Sequence, residues 1–311
     1  MALSFGSSLA AKVYLGATEI NLAYFGATQV YSSAAFSAEA QNYFSRLDAA
    51  GDTTYVDYKQ PLANYIDGLV TLGGAYWDNM VSAASFVGVG IQGVTVPLRS
   101  GMPTLTNNNF VDTDLNQLTG LVGDGSTKWI NMGVTDSDTL QDNVSLSNWV
   151  STQGTLNNKT SVGNHVTGML DQTATTVARF VSRTTNTDTI NVSPTLSENF
   201  IGQTRIVGTG FDYLINGVSG SFTRDSIAPV ASGMSVFKDQ AFNRYSDSRL
   251  ATYHYGPALN LATLEALQAT LLLEVKISNA VASYFSRLDT AGDITYLTYK
   301  QPLTNYISSL V

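Results

Sequence analysis

Residues 200–224 read FIGQTRIVGTGFDYLINGVSGSFTR and carry the clearest pattern of secondary structure in the chain. Three short runs, FIGQTRIV, FDYLING and GSFTR, mix apolar and polar residues at lengths typical of β-strands. The dipeptide Asn216-Gly217 favours a tight hairpin turn, because both residues tolerate a positive φ. Ser219-Gly220 gives a further turn signal. The stretch therefore predicts consecutive antiparallel strands joined by short turns.

The same pattern continues in both directions, from Ala83 to about Tyr255, with turn signals such as Asp124-Gly125 between the runs. Many short strands without intervening helices predict an antiparallel β-sandwich. The other candidate strands are SFVGVGI, KWINMGV, VSLSNWV, TVARFVS, DTINVS, MSVFK and LATYHY.

Composition excludes several classes of function. The 311 residues carry a net charge of −8, only 13% are charged, and there is no cysteine. Sixteen scattered basic residues do not form the basic cluster that nucleic acids or anionic membrane surfaces require. Disulfides and thiolate metal sites are excluded. No run of about 18 apolar residues exists to span a bilayer. The N-terminal sequence MALSFGSSLAAKVYLG lacks the basic start of a signal peptide.

One segment occurs twice in the chain. Residues 43–70 (copy 1) read YFSRLDAAGDTTYVDYKQPLANYIDGLV, and residues 284–311 (copy 2) read YFSRLDTAGDITYLTYKQPLTNYISSLV. The two copies are identical at 21 of 28 positions and are offset by 241 residues, about the length of a domain. A segment that precedes a domain is therefore repeated behind it, which is typical of modular surface proteins rather than of metabolic enzymes.

Copy 1 and the residues around it are predicted to be helical. Apolar residues recur at helical spacing, Ser37 is a candidate N-cap, Gly51 follows the first helix, and Pro61 suits the first turn of the second. Asn260 is predicted to cap a further helix, ATLEALQATLLLEV, which runs toward copy 2. The apolar stripes consist of Ala40, Tyr43, Phe44 and Leu47, and of Leu62, Tyr65, Ile66, Leu69 and Val70.

A smaller repeat begins the chain. VYLGATEI starts at Val13 and AYFGATQV starts at Ala23, with aromatic or β-branched residues around a glycine. We expect two short strands or hairpin arms, which are too small to be stable without a neighbour. The predicted divisions are a β arm at 1–36, a helical connector at 37–82, a sandwich at 83–277 and a helical segment at 278–311.

Most motifs for catalysis and metal binding have a simpler interpretation. Gly88-Val89-Gly90-Ile91-Gln92-Gly93 fits G-x-G-x-x-G, but a strand-like VTVP follows where a dinucleotide site needs a helix. Asp136, Asp138 and Asp142 lack the spacing of a calcium-binding loop. His165 and His254 are the only histidines, and no nucleophile elbow or closely spaced carboxylate set is present. We expect no enzyme activity, no cofactor and no metal.

Aromatic and planar polar side chains of the strand region are candidates for binding sugars, which stack on aromatic faces and hydrogen-bond to amides and guanidinium groups. Packing in the core is the alternative for each of them. The residues predicted to bind glycan are Trp129, Asn131, Asn164, Arg183, Tyr213, Arg224, Tyr245 and Arg249, and Trp149, Tyr253 and Tyr255 are further stacking candidates.

Residues 75–277 resemble the concanavalin A-like (LamG-type) sandwich domains of phage virion proteins. The resemblance rests on GDGSTKWIN from Gly123, on FIGQTR and FDYLINGVSGSFTR, and on RLATYHYGPALNLATLEALQATL from Arg249. AYWDNM from Ala75 is similar to the helix that often precedes such domains, and the YLGATEI/YFGATQV pair resembles a motif of phage tail proteins.

This resemblance implies a jelly-roll of two curved antiparallel sheets and a place on the outer surface of a virion, in a tail or appendage. The implied function is a tail-fibre or appendage adhesin for host surface glycan, and the alternative is a decoration, neck or baseplate protein without a ligand. Expected partners are other virion proteins and further copies of the chain, as a trimer by analogy, with no nucleic acid and no membrane insertion. The residues expected to mediate attachment or oligomerisation are Tyr14, Tyr24, Phe25, Leu303, Tyr306, Ile307 and Leu310.

Overall fold

The computed structural model describes residues 13–15, 18–20, 22–25, 28–32, 36–155, 159–172, 177–185, 187–191 and 198–291. The chain divides into two compact units, Met1–Ala38 and Glu39–Val311.

The strands and helices follow in chain order. The strands are β1 Val13–Leu15, β2 Thr18–Ile20, β3 Leu22–Phe25, β4 Thr28–Ser32, β5 Ser82–Ser85, β6 Thr106–Asn108, β7 Leu115–Asn116, β8 Gly120–Val122, β9 Trp129–Thr135, β10 Val144–Thr152, β11 Lys159–Gly163, β12 Thr167–Gln172, β13 Val177–Ser182, β14 Asp188–Asn191, β15 Asn199–Val207, β16 Gly210–Ile215, β17 Val218–Thr223, β18 Gly233–Val236, β19 Lys238–Asp239, β20 Arg244–Tyr245 and β21 Arg249–Gly256. The α-helices are α1 Ala38–Ala49, α2 Lys59–Thr71, α3 Gly74–Asn79 and α4 Leu261–Thr290. Short 3-10 turns cover Thr54–Tyr58, Gly93–Thr95, Asp112–Asp114 and Asp136–Asp138.

In the N-terminal unit, each half of the small repeat forms its own antiparallel hairpin. Strand β1 pairs with β2, and β3 pairs with β4. The prediction of hairpin arms is therefore confirmed. Tyr14 lies on β1 and Tyr24 and Phe25 lie on β3, and their role in attachment stays a prediction.

The second unit contains two large sheets. The first sheet has the order β17-β16-β15-β10-β21-β8-β7, with β5 also paired to β21, and the second has the order β14-β13-β12-β11-β18-β9-β6. The β19–β20 hairpin joins the second sheet through one parallel bridge, and the other strand pairs of both sheets are antiparallel. The sheets pack face to face, since the Phe180 ring of β13 stacks 5.5 Å from the Tyr213 ring of β16. The predicted antiparallel sandwich is confirmed.

Helices cover the other face of the first sheet. The Leu261 side chain of α4 packs over Gly202 of β15, and Leu267 packs against Gly68 of α2. From the α2 side, the Tyr65 hydroxyl hydrogen-bonds to Nε2 of His254 on β21 at 2.5 Å. Because both of its faces are covered, most residues of β10, β15 and β21 are buried whichever way they point.

Copy 1 folds as predicted, and its stripe residues Ala40, Tyr43, Phe44 and Leu47 are all buried. The structure places α1 and α2 in the same compact unit as the sandwich. They therefore form a layer of the fold.

One turn prediction differs from the structure. Ser219-Gly220 lies inside β17 rather than in a turn, because Gly220 leaves room for the Tyr213 ring of the neighbouring strand. Helix α4 is capped by the Asn260 side chain and runs toward copy 2, as predicted, and it continues through residue 290.

Candidate functional site

The outer face of the second sheet carries a group of half-exposed aromatic and basic side chains. Strand β9 alternates, so that Ile130, Met132 and Val134 are buried while Trp129 and Asn131 lie on the opposite, more exposed face. Two predicted site residues on one strand therefore share a face. The structure adds the predicted Tyr245 and residues that were not predicted.

Lys238 connects the two predicted aromatic residues. Its Nζ lies 4.6 Å from the centre of the Trp129 ring and 4.9 Å from the centre of the Tyr245 ring. At these distances both rings attract the cation. The contact holds Trp129 and Tyr245 on either side of one basic side chain.

The loop of the same hairpin adds a second cation and a third ring. The Arg244 guanidinium carbon lies 4.6 Å from the centre of the Phe242 ring, and the His165 ring meets that ring edge-on at 5.5 Å. The Phe242 side chain is 55% exposed although it is fully apolar. We call Trp129, Lys238, Phe242, Arg244 and Tyr245 the aromatic–cation cluster.

Local hydrogen bonds fix the hairpin that carries the cluster. Lys238 and Tyr245 are cross-strand partners, and Tyr245 also bridges to Thr160 of β11. The Ser235 hydroxyl donates to the Lys238 carbonyl at 2.6 Å, and an Asp239 carboxylate oxygen accepts the Ala241 N–H at 2.9 Å. The cluster therefore lies on a braced hairpin rather than on a free loop.

The charges of the cluster are not neutralised locally. In the part of the chain that the structure describes, neither Lys238 nor Arg244 forms an ion pair. Nearby, Asn131 accepts the Gly133 N–H at its Oδ1, while its Nδ2 has no partner among the described residues. The face thus offers aromatic surface, two cations and an amide donor, which is the combination that sugar recognition uses.

Two predicted site residues lie inside the protein instead. Asn164 is buried, and its Oδ1 accepts the N–H groups of Val166 and Thr167 at 2.9 and 2.8 Å, which fixes the turn from β11 to β12. Arg183 is also buried and pairs with buried Asp136, with 2.9 Å between Nε and Oδ1. Both side chains are committed to internal contacts, so neither is available to a surface ligand.

The remaining predicted residues lie away from the cluster. Arg224 forms a two-point ion pair with Asp188, at 2.7 and 3.1 Å. Arg249 donates to the Gly120 carbonyl at the other sheet, and Tyr213 stacks between the sheets. Of the further stacking candidates, Trp149 lies on β10, and Tyr253 and Tyr255 are fully buried core residues.

Sequence reasoning missed Lys238, Phe242 and Arg244. The signal was the segment FKDQAFNRY from Phe237, where basic and aromatic residues flank a polar turn. That pattern predicts a hairpin, but the face on which it lies depends on the parallel bridge to β11, which no local pattern specifies.

The structure also has a cleft of about 540 Å³ at one end of the sandwich. It lies between the turn after α2, the loop around Leu140 and the start of α4. None of the predicted site residues lines it.

The described residues include no group of three or more histidine, aspartate or glutamate side chains placed to hold a metal ion. Of the three aspartates considered for calcium, Asp136 is occupied by Arg183, and the Asp138 carboxylate accepts the Thr135 N–H at 2.6 Å. No helix in the described ranges has both the length and the apolar character needed to cross a membrane.

No protein-family profile matches the chain, and no curated protein sequence is significantly similar to it. Several solved structures share part of its shape. A Trypanosoma rangeli sialidase in complex with sialic acid is 10% identical over 65% of this chain and 34% of its own, with a TM-score of 0.45. The botulinum neurotoxin serotype D binding domain is 11% identical over 61% and 51%, with a TM-score of 0.43.

Domain 4 of an extracellular arabinanase from Geobacillus stearothermophilus, in complex with arabinotriose, is 14% identical over 61% of this chain and 98% of its own, with a TM-score of 0.36. The chain thus spans about a third of the sialidase and half of the neurotoxin structure. All three TM-scores lie below 0.5, so the fold and the site described above rest on this chain's own geometry.

Proposed function

We propose that this chain is a glycan-binding structural protein of a bacteriophage virion, and that the aromatic–cation cluster on the second sheet contacts the sugar. The observation that carries the proposal is that Lys238 contacts both the Trp129 and the Tyr245 rings on the outer face of the second sheet, and that the same hairpin carries the exposed Phe242 beside Arg244. The exposed Phe242 ring lies outside the core, and it provides apolar surface for a sugar ring.

Two unpaired cations in a chain with a net charge of −8 give the proposed site a local charge opposite to that of the whole protein. Acidic sugars would therefore bind more strongly than neutral sugars of the same size. Added salt would reduce this difference in affinity, because it screens the charges. The cluster contains no candidate nucleophile and no pair of carboxylates. The proposed activity is therefore binding without catalysis.

The test uses the full chain and an array of neutral and acidic glycans, followed by calorimetry on each glycan that binds. We expect Trp129→Ala to weaken binding at least about tenfold, since stacking on one aromatic side chain typically contributes a kcal/mol or more. Val218→Ala, at an exposed position on the first sheet, should leave affinity unchanged. Equal binding by the Trp129 variant would locate the site elsewhere.

The virion role follows from the modular repeat and from the resemblance described above. Cryo-electron microscopy of assembled particles should place the chain in the tail or in distal fibres. Density spread over the capsid or buried in the neck, together with no saturable binding to any glycan, would favour the alternative of a structural protein without a ligand.

A role for copy 2 in assembly is part of the same proposal. On α4, Leu271, Leu272 and Val275 are buried, whereas Tyr284 and Leu288 are partly exposed. We expect a chain that ends at residue 279 to keep the sandwich and to lose assembly, as measured by thermal melting and light scattering. Normal assembly of this truncation would contradict the role. Leu303, Tyr306, Ile307 and Leu310 lie outside the described residues, and their contribution stays a prediction.

A further inference from the structure

The G-x-G-x-x-G motif has a role that the sequence did not suggest. It holds copy 1 against the sandwich. A Cβ on Gly88 would lie 3.1 Å from Cβ of Tyr58, and a Cβ on Gly90 would lie 2.7 Å from Oγ1 of Thr54. A Cβ on Gly93 would overlap the Asp52 carboxylate. At all three glycines copy 1 therefore lies so close to the sandwich that a Cβ would not fit without a shift of its neighbours.

Hydrogen bonds complete this docking. The Asp52 carboxylate accepts the Gly90 N–H at 2.7 Å. The Arg46 guanidinium donates to the carbonyl oxygens of Pro97 and Leu98, the latter at 2.9 Å. We call Gly88, Gly90 and Gly93 with the carbonyls of Pro97 and Leu98 the glycine groove. Main-chain groups and bare glycines make up most of it, so it recognises the shape and the charged groups of copy 1.

The copy 1 residues that make these contacts are identical in copy 2, and so is Leu47, whose Cδ2 lies 3.0 Å from a Cβ built on Gly93. The pairs are Arg46 and Arg287, Leu47 and Leu288, Asp52 and Asp293, Thr54 and Thr295, and Tyr58 and Tyr299. The seven positions that differ lie mostly elsewhere. Ala49, Thr53, Val56 and Asp57 are exposed, while Ala63 is buried and Asp67 and Gly68 are partly buried on α2.

The described part of copy 2 is less covered than copy 1, although Phe285 is buried like its counterpart Phe44. Tyr43 and Leu47 are fully buried, whereas their counterparts Tyr284 and Leu288 are partly exposed. The Arg287 guanidinium lies 5.8 Å from the Tyr284 ring centre, as Arg46 lies near Tyr43, but among the described residues it has no hydrogen-bond acceptor. The chain therefore carries two segments with the same docking residues, and its glycine groove is already filled by copy 1.

We infer that copy 2 is a docking element for a β-sandwich that presents the same glycine groove, in another subunit or domain. The partner is defined by its chemistry: glycines at the positions of Gly88, Gly90 and Gly93, a free main-chain N–H for Asp293, and two carbonyls for Arg287. Copy 1 shows how such a segment contacts a glycine groove within the chain, and copy 2 would make the same contact with the neighbouring sandwich. Sandwiches would thereby be joined in series, with one helical segment between each pair.

The test makes copy 1 replaceable, so that a free peptide can compete with it for the glycine groove. A protease site is inserted between Leu72 and Gly73, in the exposed turn after α2, and the folded full chain is then cut. Excess labelled peptide with the sequence of residues 280–311 is added, and displacement of the N-terminal fragment is followed by size-exclusion chromatography and fluorescence anisotropy. We expect displacement at concentrations within about tenfold of a copy 1 peptide, residues 39–72.

Matched peptides distinguish specific docking from general apolar association. Asp293→Ala removes the acceptor for the Gly90 N–H and should weaken displacement at least about tenfold. Ile294→Ala changes the counterpart of exposed Thr53 and should have no effect. Displacement by the copy 1 peptide but not by the copy 2 peptide would overturn the inference, as would equal binding of the Asp293 and Ile294 variants.

If neither peptide displaces the fragment within days, a graft decides the question. The five substitutions Ala49→Thr, Thr53→Ile, Val56→Leu, Asp57→Thr and Asp67→Ser give copy 1 the sequence of copy 2 except at Ala63 and Gly68. Adding Gly68→Ser places a side chain against Leu267 of α4, which is specific to this chain. We expect the fivefold variant to melt within a few degrees of the parent. A loss of folding would show that copy 2 does not fit the groove, and would overturn the inference.

Discussion

The two sheets of the sandwich differ in what covers them. Helices α2 and α4 lie on the outer face of the first sheet, so polar residues such as His254 are buried there against helix side chains. The second sheet has its inner face in the core, and its outer face carries the half-exposed Trp129 and the exposed Phe242. The difference explains why one sheet is a structural layer, while the proposed binding surface lies on the other.

The contrast predicts that substitutions between the sheets have the largest effect on stability. Arg183→Ala would leave the buried Asp136 carboxylate without its cation, and such a loss typically costs about 3–5 kcal/mol. Urea denaturation at neutral pH measures the change. Lys276→Ala, which removes the exposed partner of the exposed Glu198, is the control and should cost less than about 1 kcal/mol. Similar losses for both variants would contradict the role assigned to the buried pair.

The second-largest loss of stability is expected from a larger side chain on the covered face of the first sheet. A Cβ at Gly202 would lie 2.9 Å from Cδ2 of Leu261 and 2.8 Å from Cε1 of Phe200. We therefore expect Gly202→Val to lower the free energy of unfolding by about 1–3 kcal/mol. A melting temperature equal to that of the parent would mean that α4 does not press on β15.

Low pH should lower the free energy of unfolding through His254, which is buried under the helices. Burial lowers the pKa of His254 to about 3, so the unfolded chain binds a proton more readily than the folded chain below the ordinary value of 6.5. The stabilisation is fully present above pH 6.5 and falls by about 1.4 kcal/mol for each pH unit below it, down to about pH 3.

Denaturation at a series of pH values should show this slope in the parent and a shallower slope in His254→Gln, which lacks the titrating ring. Because Tyr65 and Tyr76 contact the two ring nitrogens, the variant starts from a lower stability, and only the slopes are compared. Parallel slopes would mean that His254 is accessible to protons in the folded chain.

The smallest effect is expected on the open face of the second sheet. Asn131→Val removes only the hydrogen bond that its Oδ1 accepts from the exposed Gly133 N–H, and should alter the free energy of unfolding by no more than about 1 kcal/mol. Its effect on glycan binding should be measurable if the amide contacts the sugar. A loss of several kcal/mol would show that this face is covered, and would remove the distinction between the sheets.

Local patterns predicted much of this architecture. The strands of the 200–224 stretch, the turn at Asn216 and Gly217, and the buried stripe of α1 all follow from hydrophobic spacing and turn chemistry. Asn216 and Gly217 both have positive φ, at 44° and 74°, as the hairpin turn requires. These features depend on residues close together in sequence.

The candidate site was predicted only in part, because its residues are brought together by contacts between segments that are distant in sequence. Trp129, Asn131 and Tyr245 share a surface, but Asn164 and Arg183 are internal, and Lys238 was not considered. An aromatic or a basic residue on a strand has the same local pattern whether its face meets a helix, another sheet or solvent. Likewise, the three glycines from Gly88 to Gly93 matched a dinucleotide motif, and only their contacts with copy 1 showed their role.

The positions of the strands, the amphipathic helices of copy 1 and the two nearly identical segments follow from the amino-acid sequence alone. Three features depend on the folded arrangement: which sheet is covered, which aromatic residues meet a cation, and how copy 1 fills the glycine groove while the described part of copy 2 is less covered. The reason is physical: spacing along the chain fixes which residues share a face, whereas the burial of that face depends on packing between segments that are distant in sequence.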